Sequence, residues 1–271
     1  SEPLTYWDYI DVDTLLSLQK PKTDFKDETV FIIYHQITEL FLKLMIHEVQ
    51  QLVHAKDISE KLLIDKLKRL IRYTNMLIMS FDVMKDGMDY DDYNQFRKAL
   101  TPASGFQSAQ FRFLEIYCTS LINLVHQDQK NEIPKDPKID DYFEHIYWRS
   151  AGYSHKKNTK SLTLSLFEDK YLEELKELAK TIQGSTLEEK FNKLNHPSKE
   201  LIHLMKTFDH AYNVKWPLVH LHTAEQYLDK KGENKKGTGG SKWKKYLHPK
   251  HQGRLFFPKL WNNESILDFK A

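Results

Sequence analysis

Regularly spaced apolar residues restrict the fold of this chain more than any other feature of its sequence. Over residues 28–53 apolar side chains recur every three or four positions, and residues 56–84 repeat the pattern. Side chains at this spacing lie on one face of an α-helix, which is then buried against a neighbouring element. Further helices are predicted over 89–99, 106–126, 138–150, 168–182, 186–194 and 197–230. The sequence therefore predicts an all-α fold.

Few stretches interrupt the helical pattern. The best strand candidate is SLTLSLF at 161–167, and it stands alone. Prolines mark loops at 20–24 and 131–138, and TPASG at 101–105 ends one helix and begins the next, with Ser104 as its N-cap. The sequence contains no internal repeat and no low-complexity linker. Residues 1–271 are therefore expected to form a single domain.

Composition argues against several classes of protein. The only cysteine, Cys118, lies in an apolar helix, so a disulfide framework is not expected and the thiol is predicted to be buried and inert. A formal net charge of +2 predicts no nucleic-acid partner. The acidic, aromatic start is unlike a secretory signal, and we expect no apolar run near the roughly 20 residues that span a membrane. A cytoplasmic location without membrane contact is the expectation.

Histidines occur in apolar surroundings on two predicted helices. Phe31 and His35 are four residues apart and share one helix face. His220 and His222 are two residues apart and diverge by roughly 200°, so they make a poor two-ligand metal site. One of them facing an apolar cavity would suit a haem iron, which takes a single strong axial nitrogen. For His35, a hydrogen-bonded histidine of the hydrophobic core is the alternative.

A tyrosine and an arginine share a face of the predicted helix over 89–99. Tyr93 and Arg97 are four residues apart, and Arg97 precedes the turn at 101–105. A guanidinium group beside an apolar pocket can form two parallel hydrogen bonds with a carboxylate. The alternative is an ordinary ion pair on the surface or within the helix.

The glycines are concentrated in one basic stretch. The chain has nine, and three of them lie at 237, 239 and 240 within KKGTGGSKWKKYL at 235–247. The stretch does not match the phosphate-binding loop pattern. Because glycine permits positive φ angles and close backbone approach, residues 232–245 are interpreted as a mobile loop that closes over a small polar ligand, with Thr238 in contact. A plain surface connection is the alternative.

Taken together, these stretches resemble one family, the tryptophan 2,3-dioxygenases. The resemblance rests on YWDYIDVDTLLSLQ (6–19), FIIYHQITELFLK (31–43), SGFQSAQFRFLE (104–115), GTGGS (237–241) and the helix with Trp216 and His220. It runs in order over nearly the whole chain. The resemblance implies an all-helical, cytoplasmic homotetramer, a dimer of dimers, that binds haem b. It also implies a reaction in which both atoms of O2 are inserted across the indole C2–C3 bond of L-tryptophan to give N-formylkynurenine.

The resemblance also implies roles for particular residues. His220 corresponds to the proximal iron ligand, and His35 to the distal histidine that hydrogen-bonds the indole N–H. Arg97 corresponds to the arginine that pairs with the substrate carboxylate. The other implied contacts to the substrate or the distal face of the haem are Phe31, Tyr93, Ser104, Gly105 and Thr238. Residues 1–20 correspond to an N-terminal helix that donates Tyr6, Tyr9 and Ile10 to the site of a neighbouring subunit.

The chain departs from the family pattern at a few positions. Phe41 stands where the family has tryptophan, KWKKYL follows GTGGS, and the stretch between His220 and the loop is longer around DKKGENK. Pro217 precedes His220 by three residues and is expected to kink the helix, which leaves His222 open as the iron ligand. Two other functions also stay open: oxygenation of another aromatic amino acid or a substituted tryptophan on the same haem scaffold, and ligand binding by a non-enzymatic helical bundle.

Overall fold

The computed structural model describes residues 3–154, 158–229, 235, 243–262 and 264–269. The predicted loop 232–245 lies outside this range except for Lys235 and residues 243–245, and Thr238 is not among the described residues. Within the described residues the protein is all-α, as predicted. Its one sheet is a pair of antiparallel two-residue strands, β1 (Tyr153–Ser154) and β2 (Thr159–Lys160).

The described helices are numbered here in chain order. They are α1 (Tyr6–Tyr9), α2 (Val12–Leu16), α3 (Asp27–Val53), α4 (Glu60–Ser80), α5 (Asp82–Lys85), α6 (Tyr90–Ala99), α7 (Ala109–Cys118), α8 (Ile139–Glu144), α9 (Tyr147–Gly152), α10 (Leu162–Ile182), α11 (Leu187–Asn192), α12 (Lys199–His210), α13 (Trp216–Leu228), α14 (Trp243–Leu247) and α15 (Pro249–Gln252). A π turn, Ala211–Lys215, joins α12 to α13. Short 3-10 turns lie at Gly105–Gln107, Leu121–Asn123, Gln127–Glu132, Pro258–Trp261 and Ile266–Asp268.

The centre of the fold is the packing of α3 against α4 and α7, with α12 on the other side of α4. The fully buried residues of α3 include Met45, Val49 and Leu52, and α4 contributes Leu67 and Leu70 to the same core. Each such side chain contributes about 1.5–3 kcal/mol when it leaves water. The three-to-four spacing read from the sequence is therefore the spacing of the buried face.

A buried ionic contact also joins α3 to α4. Glu48 of α3 accepts hydrogen bonds from Lys66 and Arg69 of α4. Burial disfavours the charged form of Glu48, but the two hydrogen bonds outweigh this effect and hold its pKa below the ordinary value. By length and composition alone α3 could cross a membrane, contrary to the expectation that no apolar run approaches that length. The C-terminal half of α3, from Leu42 to Val53, packs in the core and holds the buried ion pair of Glu48, whereas the apolar window itself is 17% buried.

The best strand candidate, residues 161–167, is helical in the structure. These residues begin α10, with Ser161 as N-cap: its hydroxyl accepts a hydrogen bond from the Leu164 N–H at 3.2 Å. The leucines alternate along the sequence as in a strand, but of the three only Leu164 is buried, while Leu162 and Leu166 are exposed. The helical period, from Leu164 to Phe167, governs which side chains enter the core.

The helix predicted over 106–126 is divided. Ser104 caps the 3-10 turn Gly105–Gln107, as expected, but a second cap at Ser108 starts α7. The helix α7 ends at Cys118, which is fully buried, as predicted. Thr119 is extended, and its hydroxyl lies 2.6 Å from the Phe256 carbonyl oxygen. A contact with the C-terminal part of the chain therefore ends this helix, and sequence spacing could not reveal it.

Candidate active site

Phe31 and His35 lie side by side on α3. Their ring centroids are 4.2 Å apart, and the His35 Nδ1 lies 2.7 Å from the Phe31 carbonyl oxygen. Because a carbonyl oxygen only accepts, Nδ1 carries the proton of the neutral ring. Burial lowers the pKa of His35 below its ordinary value near 6.5, against the opposing effects of the Phe31 carbonyl and Glu39. His35 is thus neutral at pH 7, with Nε2 as a hydrogen-bond acceptor.

The helix α6 brings a second set of side chains to Phe31. The Phe31 ring lies 6.1 Å from the Tyr93 ring and 5.7 Å from the Phe96 ring, between centroids. The Arg97 guanidinium lies 6.0 Å from the centroid of the Tyr93 ring. The spacing of four residues predicted this last neighbourhood. The structure therefore joins an aromatic wall, a neutral histidine and a cation from two helices.

Contacts between α6 and α13 fix these two helices relative to each other. The rings of Tyr93 and Tyr227 are 4.8 Å apart, and the Asn94 side-chain amide donates to the Tyr227 carbonyl at 3.1 Å. The Tyr227 hydroxyl donates to the carbonyl of Met84, within α5. The helix that carries Arg97 is consequently held against the helix that carries His220.

His220 reaches the same region from α13. Its ring lies 5.4 Å from the Phe81 ring, and Phe81 lies 5.4 Å from Tyr34, the neighbour of His35. His220 is exposed in the single chain, yet enough protein surrounds it that desolvation, with a smaller effect of His35, lowers its pKa to about 4. His220 lines neither of the two cavities described below.

The donor set at His220 fits a single axial ligand to a haem iron. The imidazole is neutral at pH 7, as a metal ligand must be, and it has no hydrogen bond to another described residue. Within the described ranges no group of three or more histidine, cysteine, aspartate or glutamate side chains could hold a metal ion by itself. His220 contacts the Phe81 ring and is affected by His35, whereas His222 has no ring contact among the described residues. These contacts favour His220 over His222 as the iron ligand.

A cavity of about 480 Å³ opens beside His35, within the range of small-molecule sites. Phe31 and His35 lie on its wall, and Ala103 borders it next to Ser104. The remaining lining residues are Leu15, Leu18, Glu28, Ile32, Gln36, Glu39, Leu40, Lys43, Leu100 and Gln110. The space beside the neighbouring Gly105 is open as well, since an added Cβ would meet no atom within 4 Å. The lining is largely apolar, as an indole slot requires.

A smaller cavity of about 350 Å³ lies on another side of α6. Arg97, Lys98 and Lys235 contribute cations to its wall, together with Asp91, Asn94 and Gln95. Lys235 is the one described residue within 230–242, and its ammonium group lies 3.0 Å from the Tyr90 hydroxyl oxygen. The chain that enters the glycine-rich stretch is thus attached to the helix of Arg97.

Leu15 and Leu18 of the N-terminal segment line the cavity beside His35, but the three residues predicted to reach a neighbouring subunit do not enter it in the single chain. Tyr6, Tyr9 and Ile10 are exposed, and none of them lines either cavity. The predicted N-terminal helix is also divided, because Asp11 adopts a left-handed φ of 52° between α1 and α2. Their predicted role in a neighbouring subunit stays a prediction.

Sequence reasoning missed several residues that assemble the site. Tyr34 and Phe81 connect the two histidines, Tyr227 holds α6 against α13, and Lys235 approaches the surroundings of Arg97. Tyr34 directly precedes His35 in the sequence, so its ring could have been predicted to lie near the histidine. The others come from distant parts of the chain, so no local spacing indicates them.

Comparison with known proteins places the chain in a class of enzymes. The sequence model described as tryptophan 2,3-dioxygenase matches residues 1–173. Proteins named tryptophan 2,3-dioxygenase from Bacillus thuringiensis subsp. konkukian and Ruegeria sp. are each 28% identical, and each alignment covers 96% of this chain and 92% of the relative. A third, from Anaeromyxobacter sp., is 39% identical over 118 residues, 42% of this chain and 43% of its own length.

The all-helical fold and these relatives define the protein as an oxidoreductase of the dioxygenase class. More narrowly, the chain belongs to the tryptophan 2,3-dioxygenase family. The resemblance read from the sequence is thereby confirmed, and the non-enzymatic helical bundle is set aside.

Proposed function

We propose that this protein is a haem-dependent dioxygenase that converts L-tryptophan and O2 to N-formylkynurenine, the first step of tryptophan catabolism by the kynurenine route. One observation carries the proposal: a neutral His35 with its Nε2 as acceptor lies beside the rings of Phe31 and Tyr93, while the neutral imidazole of His220, on another helix, is near enough for His35 to lower its pKa. Family membership supports the same reaction.

His220 would hold the haem b iron as its proximal ligand. The bound haem in its ferrous state supplies the activation of O2, a reaction that protein side chains do not perform by themselves. Phe81 packs against the ligand ring at 5.4 Å and restricts its rotation. Ser104 and Gly105, at the start of the 3-10 turn, would border the distal face, where the open space beside Gly105 leaves room for the macrocycle.

His35 would orient the indole ring. Since its Nδ1 proton is engaged by the Phe31 carbonyl, Nε2 is the atom that accepts the indole N–H. This hydrogen bond fixes which edge of the indole faces the haem. His35 need not remove a proton during the reaction, and its contribution is then that of one well-placed hydrogen bond in an apolar pocket.

Arg97 would bind the carboxylate of the substrate, and Tyr93 would support it. The guanidinium group lies beside the Tyr93 ring, which also contacts Phe31 in the indole slot. An arginine can bind a carboxylate through two parallel hydrogen bonds, and this geometry defines the orientation of the whole amino acid. Thr238 would contact the ammonium and carboxylate groups when the loop 232–245 closes and excludes water.

The working enzyme would be a cytoplasmic homotetramer, a dimer of dimers. Tyr6, Tyr9 and Ile10 would complete the pocket of a neighbouring subunit, which accounts for aromatic side chains that are exposed in the single chain.

The test is to load the protein with haem, reduce it, and add L-tryptophan in air. Formation of N-formylkynurenine with consumption of O2 is the expected result. A haem-loaded protein that leaves tryptophan unchanged would refute the substrate, and a panel of substituted tryptophans and tyrosine would then identify the oxygenated amino acid. A folded protein that binds no haem would refute the assignment of His220.

A further inference from the structure

The helix that carries His220 contains one extra residue. The segments α12, Ala211–Lys215 and α13 form a single continuous helix, since the residues at both junctions keep α-helical dihedral angles. Within it, the Trp216 N–H donates to the Ala211 carbonyl, five residues back rather than four. Such a π turn accommodates one more residue than the α-helix on either side, and π turns often occur at functional sites.

The extra residue decides which side chain of α13 faces the site. Each residue of an α-helix turns the chain by about 100°. If the π turn relaxed into α-helix while α12 kept its place, every residue of α13 would rotate by about that angle. Val219 would then occupy the direction that His220 takes in the structure. The ring contact between His220 and Phe81 therefore depends on the π turn.

Two features stabilise this turn. The first is Pro217, which has no N–H to donate to Asn213 four residues earlier and whose ring clashes with a carbonyl at that position in a regular α-helix. The widened π turn directly before α13 relieves this conflict. The kink expected from Pro217 is thus replaced by an expanded turn.

The second feature is a buried polar network. The Asn213 side-chain amide donates to the Asp209 carboxylate at 2.6 Å, and its carbonyl oxygen accepts from the Arg254 guanidinium. All three side chains are buried. Asp209 also accepts the backbone N–H groups of Phe256 at 2.9 Å and Phe257 at 3.0 Å.

The network ties the turn to the C-terminal segment and to α7. The Trp261 indole N–H donates to Asp209 at 3.0 Å, and Arg254 forms a buried ion pair with Glu115. These partners lie far from the turn in sequence. A polar group in the interior is costly unless it is hydrogen-bonded, so the network favours the one backbone conformation that satisfies Asn213 and Asp209 together.

We propose that Asp209, Asn213 and Arg254 are positioning residues for the iron ligand: they stabilise the π turn and thereby direct His220, rather than Val219, toward His35. The proposal rests on the assignment of His220 under the proposed function. Beyond that function, it explains how this chain directs His220 rather than a neighbouring residue of α13 toward the site. It also explains how Pro217 fits three residues before His220.

The test compares a relaxed turn with a shortened one. The variant Asn213→Ala/Pro217→Ala removes both features that stabilise the π turn. We expect it to keep its helical circular dichroism, to bind hemin about 10- to 100-fold more weakly, and to lose the iron–histidine stretching band of the ferrous form. Lys215→Ala is the matched control, because this exposed residue of the same turn has no part in the network, and it should bind hemin like the parent protein.

Deletion of Lys215 in the double variant is the decisive step. Removing one residue allows a regular α-helix in which His220 regains its original direction, although none of the lost hydrogen bonds returns. We expect hemin affinity and the iron–histidine band to recover. A merely structural role of the network predicts no recovery, and that result would overturn the proposal. Unchanged hemin binding in the double variant would overturn it as well.

A second pair covers the case in which the double variant does not fold. Pro217→Ala retains Asn213 and its network, which should hold the π turn, so this variant should bind hemin normally. Pro217→Ala with one alanine inserted after Lys215 rotates α13 the other way and should bind weakly. Equal affinities in these two folded proteins would contradict the proposal. His220→Gly, tested with and without imidazole, separates the two hypotheses: if it binds hemin like the parent protein, the ligand assignment fails, whatever the role of the turn.

Discussion

At the scale of single residues, the most informative contact is the hydrogen bond within α3 between His35 and the Phe31 carbonyl. It assigns a proton to Nδ1 and leaves Nε2 as an acceptor, so one backbone oxygen determines what the histidine can recognise. A histidine with the opposite tautomer would present a donor to the indole N–H and repel it. The side chain of Phe31 and its backbone thus contribute separately to the pocket.

Replacing His35 by leucine should reduce kcat/KM for L-tryptophan about 2- to 12-fold, because a neutral hydrogen bond contributes about 0.5–1.5 kcal/mol. The preference for tryptophan over 1-methyltryptophan, which lacks the N–H, should shrink by a similar factor. His35→Gln is the matched control, since its carbonyl oxygen can still accept. Steady-state kinetics with both substrates measure these effects. An undiminished preference for tryptophan in the leucine variant would contradict the proposed hydrogen bond.

The pH dependence follows from the same ring. Burial lowers the pKa of His35, so the acceptor form persists below pH 6.5. We expect kcat/KM for tryptophan to stay level from pH 8 to about 6.5 and to fall at lower pH, where protonation of Nε2 removes the acceptor. The fall should be absent in His35→Gln, which does not titrate. A fall that begins above pH 7 would mean that the pKa of His35 is raised.

Arg97→Ala should raise KM for L-tryptophan about 10- to 150-fold, since a hydrogen bond to a charged group contributes about 1.5–3 kcal/mol. Tryptamine, which has no carboxylate, serves as the control substrate and should be affected little. Arg97→Lys should be intermediate, because an ammonium group keeps the charge but loses the paired geometry. Equal losses with tryptophan and tryptamine would indicate a structural role for Arg97 instead.

At the scale of helices, the N-cap residues determine where a helix begins within a stretch of regularly spaced apolar residues. The stretch 161–167 satisfies a strand pattern as well as a helical one, and Ser161 resolves the ambiguity by accepting the Leu164 N–H. Similarly, Ser108 starts α7 and Asp89 starts α6, where its carboxylate accepts the N–H groups of Asp91 and Asp92, both at 2.9 Å. Capping thus fixes where each of these helices begins.

Ser161→Ala should lower the free energy of unfolding by about 1 kcal/mol, the typical contribution of a serine N-cap. Ser165→Ala, one turn further into α10, is the control and should have little effect, because alanine is favourable inside a helix. The midpoints of urea unfolding, measured with unchanged slopes, provide the comparison. An equal destabilisation by both substitutions would argue against the cap.

At the scale of the whole molecule, the N-terminal segment exposes large apolar side chains that contact with another protein would bury. Tyr6, Trp7 and Tyr9 are 70%, 59% and 74% exposed, and Leu16 beside them is 70% exposed. Large apolar side chains grouped on one surface are typical of interfaces between proteins. A neighbouring copy of the chain is the partner that the proposed tetramer supplies, and its active site would gain the aromatic rings.

Mixed oligomers test whether subunits share a site. A chain with Tyr6→Ser and Tyr9→Ser keeps its own haem pocket, while a His220→Gly chain keeps its N-terminal segment. Each should be weakly active alone, and coexpression should restore activity above both, because some sites then combine two intact halves. Coexpression of His220→Gly with Arg97→Ala is the control: every site retains one defect, so no gain is expected. No gain in the first mixture would refute the shared site.

Residue spacing and short motifs were enough to predict the helical class, the shared helix face of Phe31 and His35, the neighbourhood of Tyr93 and Arg97, and the family. These properties depend on spacing of three or four residues or on short motifs, both of which are local. Thr238 and the glycine loop rest on sequence alone, since they lie outside the described residues. The resemblance also favoured His220 over His222 as the iron ligand, and that assignment stays a proposal.

The orientation of α13 relative to His35 depends on contacts between distant parts of the folded chain. Pro217 predicted a disturbance of the helix, but the form it takes depends on Asp209, Asn213 and Arg254, and the last of these comes from the C-terminal part of the chain. The contacts of Phe81 with His220 and of Tyr227 with Tyr93 have the same character. Each joins segments far apart in sequence, and their energies depend on burial and mutual orientation, which exist only once the chain has folded.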